Sequence, residues 1–297
     1  MLKTQLSKVI LWNSFSFVPA FFSPVQNASP TISSPKEAAV VNLKTSFAAP
    51  KVTLNKRELQ FAKNYIRMNA EDLVNIKKRS KIPFTIMDSV FSRYELPVEL
   101  KYLAVIESEL KPSALSGVGA LGPWQLMPET AHDLGLKITR HYDERTSFYK
   151  STRAAALYLK DLYGQFGDWL LVLAAYNGGP KPVLTAIRKS GSRNFWVLQN
   201  YLPLETRLHV KRFIATHYYF EGQGSITTLT KAENIEYAKS VNAFAIFHSV
   251  AEASKTGKTS RQNEKAGTKE KSQKERYNRL MKESEESLQK AGKLIAA

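Results

Sequence analysis

Apolar positions in this chain recur at intervals of three and four rather than two. In Pro97-Val98-Glu99-Leu100-Lys101-Tyr102-Leu103-Ala104-Val105-Ile106-Glu107-Ser108, the residues Leu100, Leu103, Ala104 and Glu107 fall at i, i+3, i+4 and i+7, the spacing of one helical face. Pro97 suits a first turn, where its missing N–H would have no intrahelical partner, and Glu99 favours the positive end of the helix dipole. A helix is therefore predicted here, with the carboxylate of Glu107 on its apolar side. The same period links Ala155, Leu159 and Leu162, and then Phe213, His217 and Phe220. Further helices are predicted from Arg57 to Met68 and from Ile82 to Tyr94. Strand-type alternation is scarce, so the predicted fold class is all-α.

A carboxylate buried without a cationic partner resists ionisation, because desolvation penalises the anion. A general acid working near neutral pH needs that property. A structural ion pair between Glu107 and an Arg or Lys elsewhere is the competing reading, and periodicity alone leaves both open. Downstream, Ser116-Gly117-Val118-Gly119-Ala120-Leu121-Gly122-Pro123-Trp124-Gln125-Leu126-Met127-Pro128-Glu129-Thr130 places three glycines in six positions before a predicted helix at Pro128. Such punctuation implies tight turns or close backbone approach. Later, Asp168 is placed to cap a short apolar helix that ends at Tyr176-Asn177-Gly178-Gly179, before Pro180.

These segments resemble the catalytic domain of the soluble-type lytic transglycosylases, most closely the membrane-bound murein transglycosylase D branch. That pattern has a Glu-Ser pair, a serine nine residues on in Ser-x-x-Gly-Ala, a Gly-x-x-Gln-x-Met-Pro-x-Thr segment, and later Ala-Tyr-Asn followed by small residues. Here Glu107-Ser108 leads to Ser116, then to Gly122, Gln125, Met127, Pro128 and Thr130, and then to Ala175-Tyr176-Asn177-Gly178. The resemblance covers about 90 to 222, with weaker similarity back to about 51. Three departures stand out: Pro123 replaces a large apolar residue, Lys111 replaces an Asn, and Leu208-His209 stand where relatives commonly read Asn-Tyr after Glu205-Thr206-Arg207. The last puts in doubt any role that the relatives' tyrosine has.

The resemblance implies a lysozyme-like helical lobe that cleaves the β-1,4 bond between N-acetylmuramic acid and N-acetylglucosamine in peptidoglycan. Glu107 would be the single acid and base, closing a 1,6-anhydro ring on the muramyl residue. Ser116, Gln125, Met127, Tyr176 and Asn177 would bind substrate or position the carboxyl, and Trp124, Glu205 and Arg207 would lie at the cleft or serve structure. Plainer readings stand beside these: a turn for Ser116, core packing for Met127 and for Trp124. A second carboxylate, which most glycosidases use, has no strong candidate. Glu109 sits roughly 200° around the helix from Glu107, and Glu129 and Asp133 suit the early turns of the next helix. A water-using muramidase with Glu205 as second carboxylate, and a non-catalytic peptidoglycan-binding protein, are the alternatives.

Composition narrows the setting. The 297 residues include no cysteine, and His132, His141, His209, His217 and His248 show no ligand spacing, so neither a metal nor another cofactor is expected. Residues 1–28 read as a signal peptide, with Lys3 and Lys8 before an apolar stretch too short and interrupted to span a membrane. Residues 29–50 read as a Ser/Pro/Ala linker, 51–89 as an N-terminal helical extension and 90–222 as the transglycosylase domain. Residues 223–254 form an extension of unassigned character, and 255–297 a basic tail with 12 Lys/Arg against 6 Asp/Glu. The expected location is the periplasm or cell envelope, outer-membrane association included, with no transmembrane segment in the mature chain. The net charge of +17 suits an anionic polymer such as peptidoglycan. It would suit nucleic acid equally, but no nucleic-acid motif is present and none is expected as a partner. A monomer is expected, acting on peptidoglycan glycan strands; no LysM-like repeat is recognised in the tail, so retention on the polymer falls to other surfaces.

Overall fold

The structure is a computed structural model and describes residues 49–256. The expected signal peptide, nearly all of the linker and nearly all of the basic tail lie outside the described residues. Helix α1 (Lys56–Met68) opens on a capping box: Asn55 accepts from the backbone of Arg57 and Glu58, and Glu58 returns a bond to the Asn55 backbone. Helices α2 (Ala70–Arg79) and α3 (Lys81–Arg93) follow, the second coinciding with the predicted Ile82–Tyr94 helix. Pro97 precedes a 3-10 turn, Val98–Leu100, that leads directly into α4 (Lys101–Ser108), the helix of Glu107.

Beyond α4 the glycine-punctuated segment forms paired turns, and α5 (Pro128–Asp133) begins at Pro128. Helices α6 (Phe148–Phe166) and α7 (Trp169–Gly178) build the middle of the core, and α8 (Pro180–Ser190) starts at the proline after the Gly178-Gly179 break. A short turn of helix α9 (Phe195–Leu198) leads to the long α10 (Leu204–Glu221), and α11 (Lys231–Thr256) closes the described chain. No strand occurs among the described residues, only three isolated bridges, as the periodicity predicted. No helix among them is long and apolar enough to cross a membrane.

Helix α7 is the hub. Every residue from Trp169 to Asn177 is buried, and α6, α8 and α10 all pack on it. Its N-terminal donors are met by Asp168, whose Oδ1 accepts from the N–H of Leu170 at 2.9 Å. The other oxygen of Asp168 accepts from the Lys231 N–H at 2.6 Å, so one buried carboxylate ends two helices. Burial pushes the Asp168 carboxyl up, and these backbone donors oppose the push. Helix α10 presents Thr206, His209, Val210, Phe213 and His217 to the core, the i, i+3, i+4, i+7, i+11 run of a buried stripe. Helix α1 lies along α10, which joins the N-terminal helices to the lobe that carries Glu107.

Candidate active site

Helix α4 is buried nearly all round, with Leu103, Ala104 and the preceding Leu100 fully enclosed, so Glu107 continues an apolar stripe as its spacing predicted. Its side chain is only 6% exposed, and Oε1 lies 2.8 Å from Nε2 of His209, itself 5% exposed. The partner of Glu107 is thus a histidine on α10 rather than the Arg or Lys of the competing sequence reading. Nδ1 of His209 is buried and has no hydrogen-bond partner among the described residues. The tautomer with its proton on Nε2 suits this surrounding: it donates to Glu107 and leaves Nδ1 as a lone pair, whereas an N–H on Nδ1 would be a buried orphan donor.

Glu107 opens onto a cavity of about 190 Å³ lined also by Glu109, Lys111, Ala114, Leu115 and Gln125. His209 is not in that lining, so it supports the carboxyl from behind. The chain leaves α4 through two left-handed residues that are not glycine, Glu109 at φ 55° and Leu110 at φ 60°. Glu109 is held there by Lys111 at 2.7 Å and Arg79 at 3.5 Å, with Arg79 also donating to the Glu109 carbonyl at 2.8 Å. The sequence expectation that Glu109 points elsewhere is corrected by this turn, because a left-handed C-cap swings it to the same cavity. It arrives, however, with its charge already matched by two cations.

The glycine segment is a folded scaffold. Ser116 Oγ accepts from the N–H groups of Ala120 at 2.9 Å and Val118 at 3.3 Å, which is the turn role weighed from sequence; its own proton is committed to no described residue. Gly122, at φ 87°, passes so near the Arg145 backbone that a Cβ would stand 2.0 Å from the Arg145 carbonyl oxygen. Arg145 closes the segment, donating to the carbonyls of Gly119 at 2.8 Å and Leu126 at 3.0 Å. It also pairs with Asp143 at 2.7 Å, holding that carboxyl below its ordinary range. Ser108 ties the segment to α4 by donating to the Pro123 carbonyl at 2.9 Å.

Gln125 sits at φ 47° and spends its Nε2 donors on the carbonyls of Ala114 at 2.8 Å and Gly122 at 3.0 Å. Its amide oxygen accepts no hydrogen bond from a described residue, and the side chain lines the cavity it shares with Glu107. Trp124 corrects the cleft expectation: it is 0% exposed, its Nε1 donates to Thr152 at 2.9 Å, and its ring meets the edge of Phe91. A side chain so enclosed cannot stack on a sugar. Tyr176 donates to the Trp124 carbonyl at 2.8 Å rather than to Glu107. Burial, and secondarily the negative charge of Glu107, push its phenol well up. Asn177 is buried beside it in the last turn of α7. Met127 is half-buried at the N-terminus of α5 and does not line the Glu107 cavity.

Two further sequence candidates lie elsewhere. Glu205 pairs with Arg212 at 2.7 Å, and Arg207 reaches Asn200 at 3.3 Å in a different cavity. Neither lines the space in front of Glu107. The residue missed from sequence is His209, and the signal was available in the buried stripe of α10 on which it falls. No group of three or more His, Cys, Asp or Glu side chains that could hold a metal occurs among the described residues.

Comparison with known proteins covers the same stretch of chain. Residues 91–199, which include Glu107 and the whole glycine segment, match the model of the transglycosylase SLT domain. Over 166 residues the chain is 36% identical to the membrane-bound lytic murein transglycosylase D of Escherichia coli strain K12, covering 54% of this chain and 36% of that protein. It is also 41% identical over 73 residues to a transglycosylase of the Enterobacteria phage PRD1, covering 25% of each. The chain therefore spans about a third or less of the length of these curated relatives. Among solved structures, the 70 kDa soluble lytic transglycosylase of Escherichia coli overlaps 59% of this chain and 32% of its own, at 26% identity and a TM-score of 0.44. Through residues 91–199 the chain is similar to the transglycosylase SLT domain.

Proposed function

We propose that the protein is a peptidoglycan lytic transglycosylase whose acid and base are one group, Glu107, acting in the cell envelope after export. The observation that carries this reading is the carboxyl of Glu107 at the wall of a cavity where the other acid, Glu109, is already bound by Lys111 and Arg79. One carboxyl held by no Lys or Arg, and met only by His209, suits a reaction that needs no activated water. Its match to the SLT domain model supports the same reading, as does its likeness to a relative named for lytic action on murein.

In the proposed sequence, Glu107 gives its proton to the glycosidic oxygen as the bond from muramyl C1 to that oxygen breaks. The neighbouring acetamido group of the substrate stabilises C1 meanwhile. The Glu107 carboxylate then takes the proton of the muramyl C6 hydroxyl as O6 bonds to C1, so the 1,6-anhydro ring closes and Glu107 ends protonated, as it began. Intramolecular attack gains from orientation entropy already lost on binding. The protein's task is then to hold the sugar and the carboxyl in register. His209 serves the second part by fixing Oε1 of Glu107, while Gln125 offers its amide oxygen to the sugar. The proposed substrate contacts at Ser116, Met127, Tyr176 and Asn177 rest on resemblance, with Tyr176 acting at one remove through the Trp124 carbonyl.

Digestion of purified peptidoglycan followed by mass spectrometry tests the reading. Anhydromuropeptides from the wild type, with none from Glu107→Gln, are expected. Reducing ends as the sole products would replace the transglycosylase by a hydrolytic muramidase. No release at all by wild type would leave a peptidoglycan-binding protein.

A further inference from the structure

A second and larger cavity, about 410 Å³, lies where α1, the α9 turn and α10 meet, with Phe61, Trp196 and Ile214 as its apolar walls. Arg57, Arg207 and Lys211 also line it, and Glu58 is the one acid there. Both oxygens of Glu58 are taken by Asn55, through the backbone N–H at 3.0 Å and Nδ2 at 2.5 Å. Arg207 meets only the side-chain oxygen of Asn200, at 3.3 Å. Lys211 has no hydrogen-bond or ion-pair partner among the described residues. Three cations against one acid leave two positive charges facing a concave space without counter-ions.

That arrangement carries a cost. Arg207 and Lys211 are four apart on α10, where like charges repel, and burial together with the Arg207 charge pushes the Lys211 ammonium down. A bound anion would remove both penalties. The walls point to more than a bare ion: the rings of Phe61 and Trp196 can cover aliphatic atoms while Arg207 supplies the planar fork that pairs with a carboxylate. Helix geometry also separates this cavity from the acid. His209 lies two residues from both Arg207 and Lys211, roughly 200° around α10, and it faces Glu107. A sugar seated at Glu107 therefore leaves this cavity free for another part of the polymer.

We propose that this cavity is a second substrate-binding site, which takes the carboxylate-bearing peptide that the glycan carries and pairs it with Arg207 and Lys211. The proposal rests on the peptidoglycan reading of the Glu107 site. Calorimetric titration of the full-length protein with three probes tests it: the free acidic stem peptide, the same peptide with its carboxylates amidated, and inorganic phosphate. Saturable binding of the acidic peptide is expected, weakened about tenfold by Lys211→Ala and further by Lys211→Glu, in keeping with loss of a charge-assisted contact. Thermal melts show whether each variant is folded. An acidic peptide that does not bind, an amidated peptide that binds equally well, or folded Lys211 variants that bind like wild type would each overturn the proposal. Phosphate binding tighter than the peptide would overturn it in favour of a phosphate site. Binding is read without turnover, so anhydromuropeptide formation with no peptide binding sinks this site alone, and peptide binding without anhydro products sinks the reaction alone.

Discussion

Replacing His209 by Phe keeps a ring of similar size on the buried face of α10 and deletes the one hydrogen bond made to the Glu107 carboxyl by a described residue. A hydrogen bond to the carboxylate that forms as Glu107 gives up its proton contributes about 1.5–3 kcal/mol, which as a barrier change is roughly 10- to 150-fold in rate. His209 does not line the cavity in front of Glu107, so substrate binding should be spared. The expected result is a fall in kcat of that size with KM unchanged, read from initial rates of muropeptide release over a range of soluble glycan concentrations. His209→Tyr, the residue common in relatives, and His209→Gln both restore a donor and should recover much of the rate. A folded His209→Phe variant with wild-type kcat would refute the positioning role. So would a loss that appears in KM alone, or one that His209→Tyr and His209→Gln fail to relieve.

Other sites give separate outcomes. Burial above all holds the imidazole of His217 down to about 4, from 6.5 in the unfolded chain, while its Nε2 meets Ser225 at 2.9 Å. The folded state thus takes up fewer protons between those values. Stability should be full above about pH 6.5 and fall by on the order of 3 kcal/mol as pH drops towards 4, and His217→Gln should flatten that slope in denaturant titrations. Gly122→Ala places a Cβ 2.0 Å from the Arg145 carbonyl oxygen at a positive φ, so a loss of more than about 2 kcal/mol is expected; a melting temperature within two or three degrees of wild type would contradict the close approach. Tyr176→Phe leaves the buried Trp124 carbonyl without its donor, a cost of about 1–3 kcal/mol in chemical unfolding.

The helical class and the position of Glu107 were legible because both follow from local periodicity. Leu100, Leu103, Ala104 and Glu107 fall on one face wherever α4 packs, and Asp168 caps α7 as its residue type and place predicted. Tertiary choices were not legible. Trp124 could satisfy its indole N–H either at a sugar or in the core, and only the arrival of Thr152, 28 residues later, decides for the core. Tyr176 was expected at the carboxyl, but the Trp124 carbonyl reaches its hydroxyl. Glu109 was misplaced because helical spacing was extended one residue past the helix; a left-handed cap breaks that spacing. His209 lay in plain view on a buried stripe, yet its partner sits 102 residues away, beyond any local pattern.

The strained backbone accounts for how Glu107 would work alone in the proposed reaction. Among the described residues four non-glycines hold positive φ, and two of them, Glu109 and Gln125, line the Glu107 cavity, with Leu110 next in the chain after Glu109. Each costs on the order of 1–3 kcal/mol and persists only where its surroundings over-determine it. Here Lys111 and Arg79 fix Glu109, and two carbonyls fix the Gln125 amide. The left-handed turn brings the second carboxylate to the cavity only to bind it in ion pairs. The twisted Gln125 spends its donors on the loop and leaves its acceptor uncommitted. With His209 bracing the carboxyl from behind, the local conformation isolates one acid and gives it a rigid frame. A mechanism in which the same group must release and recover a proton without moving requires that frame.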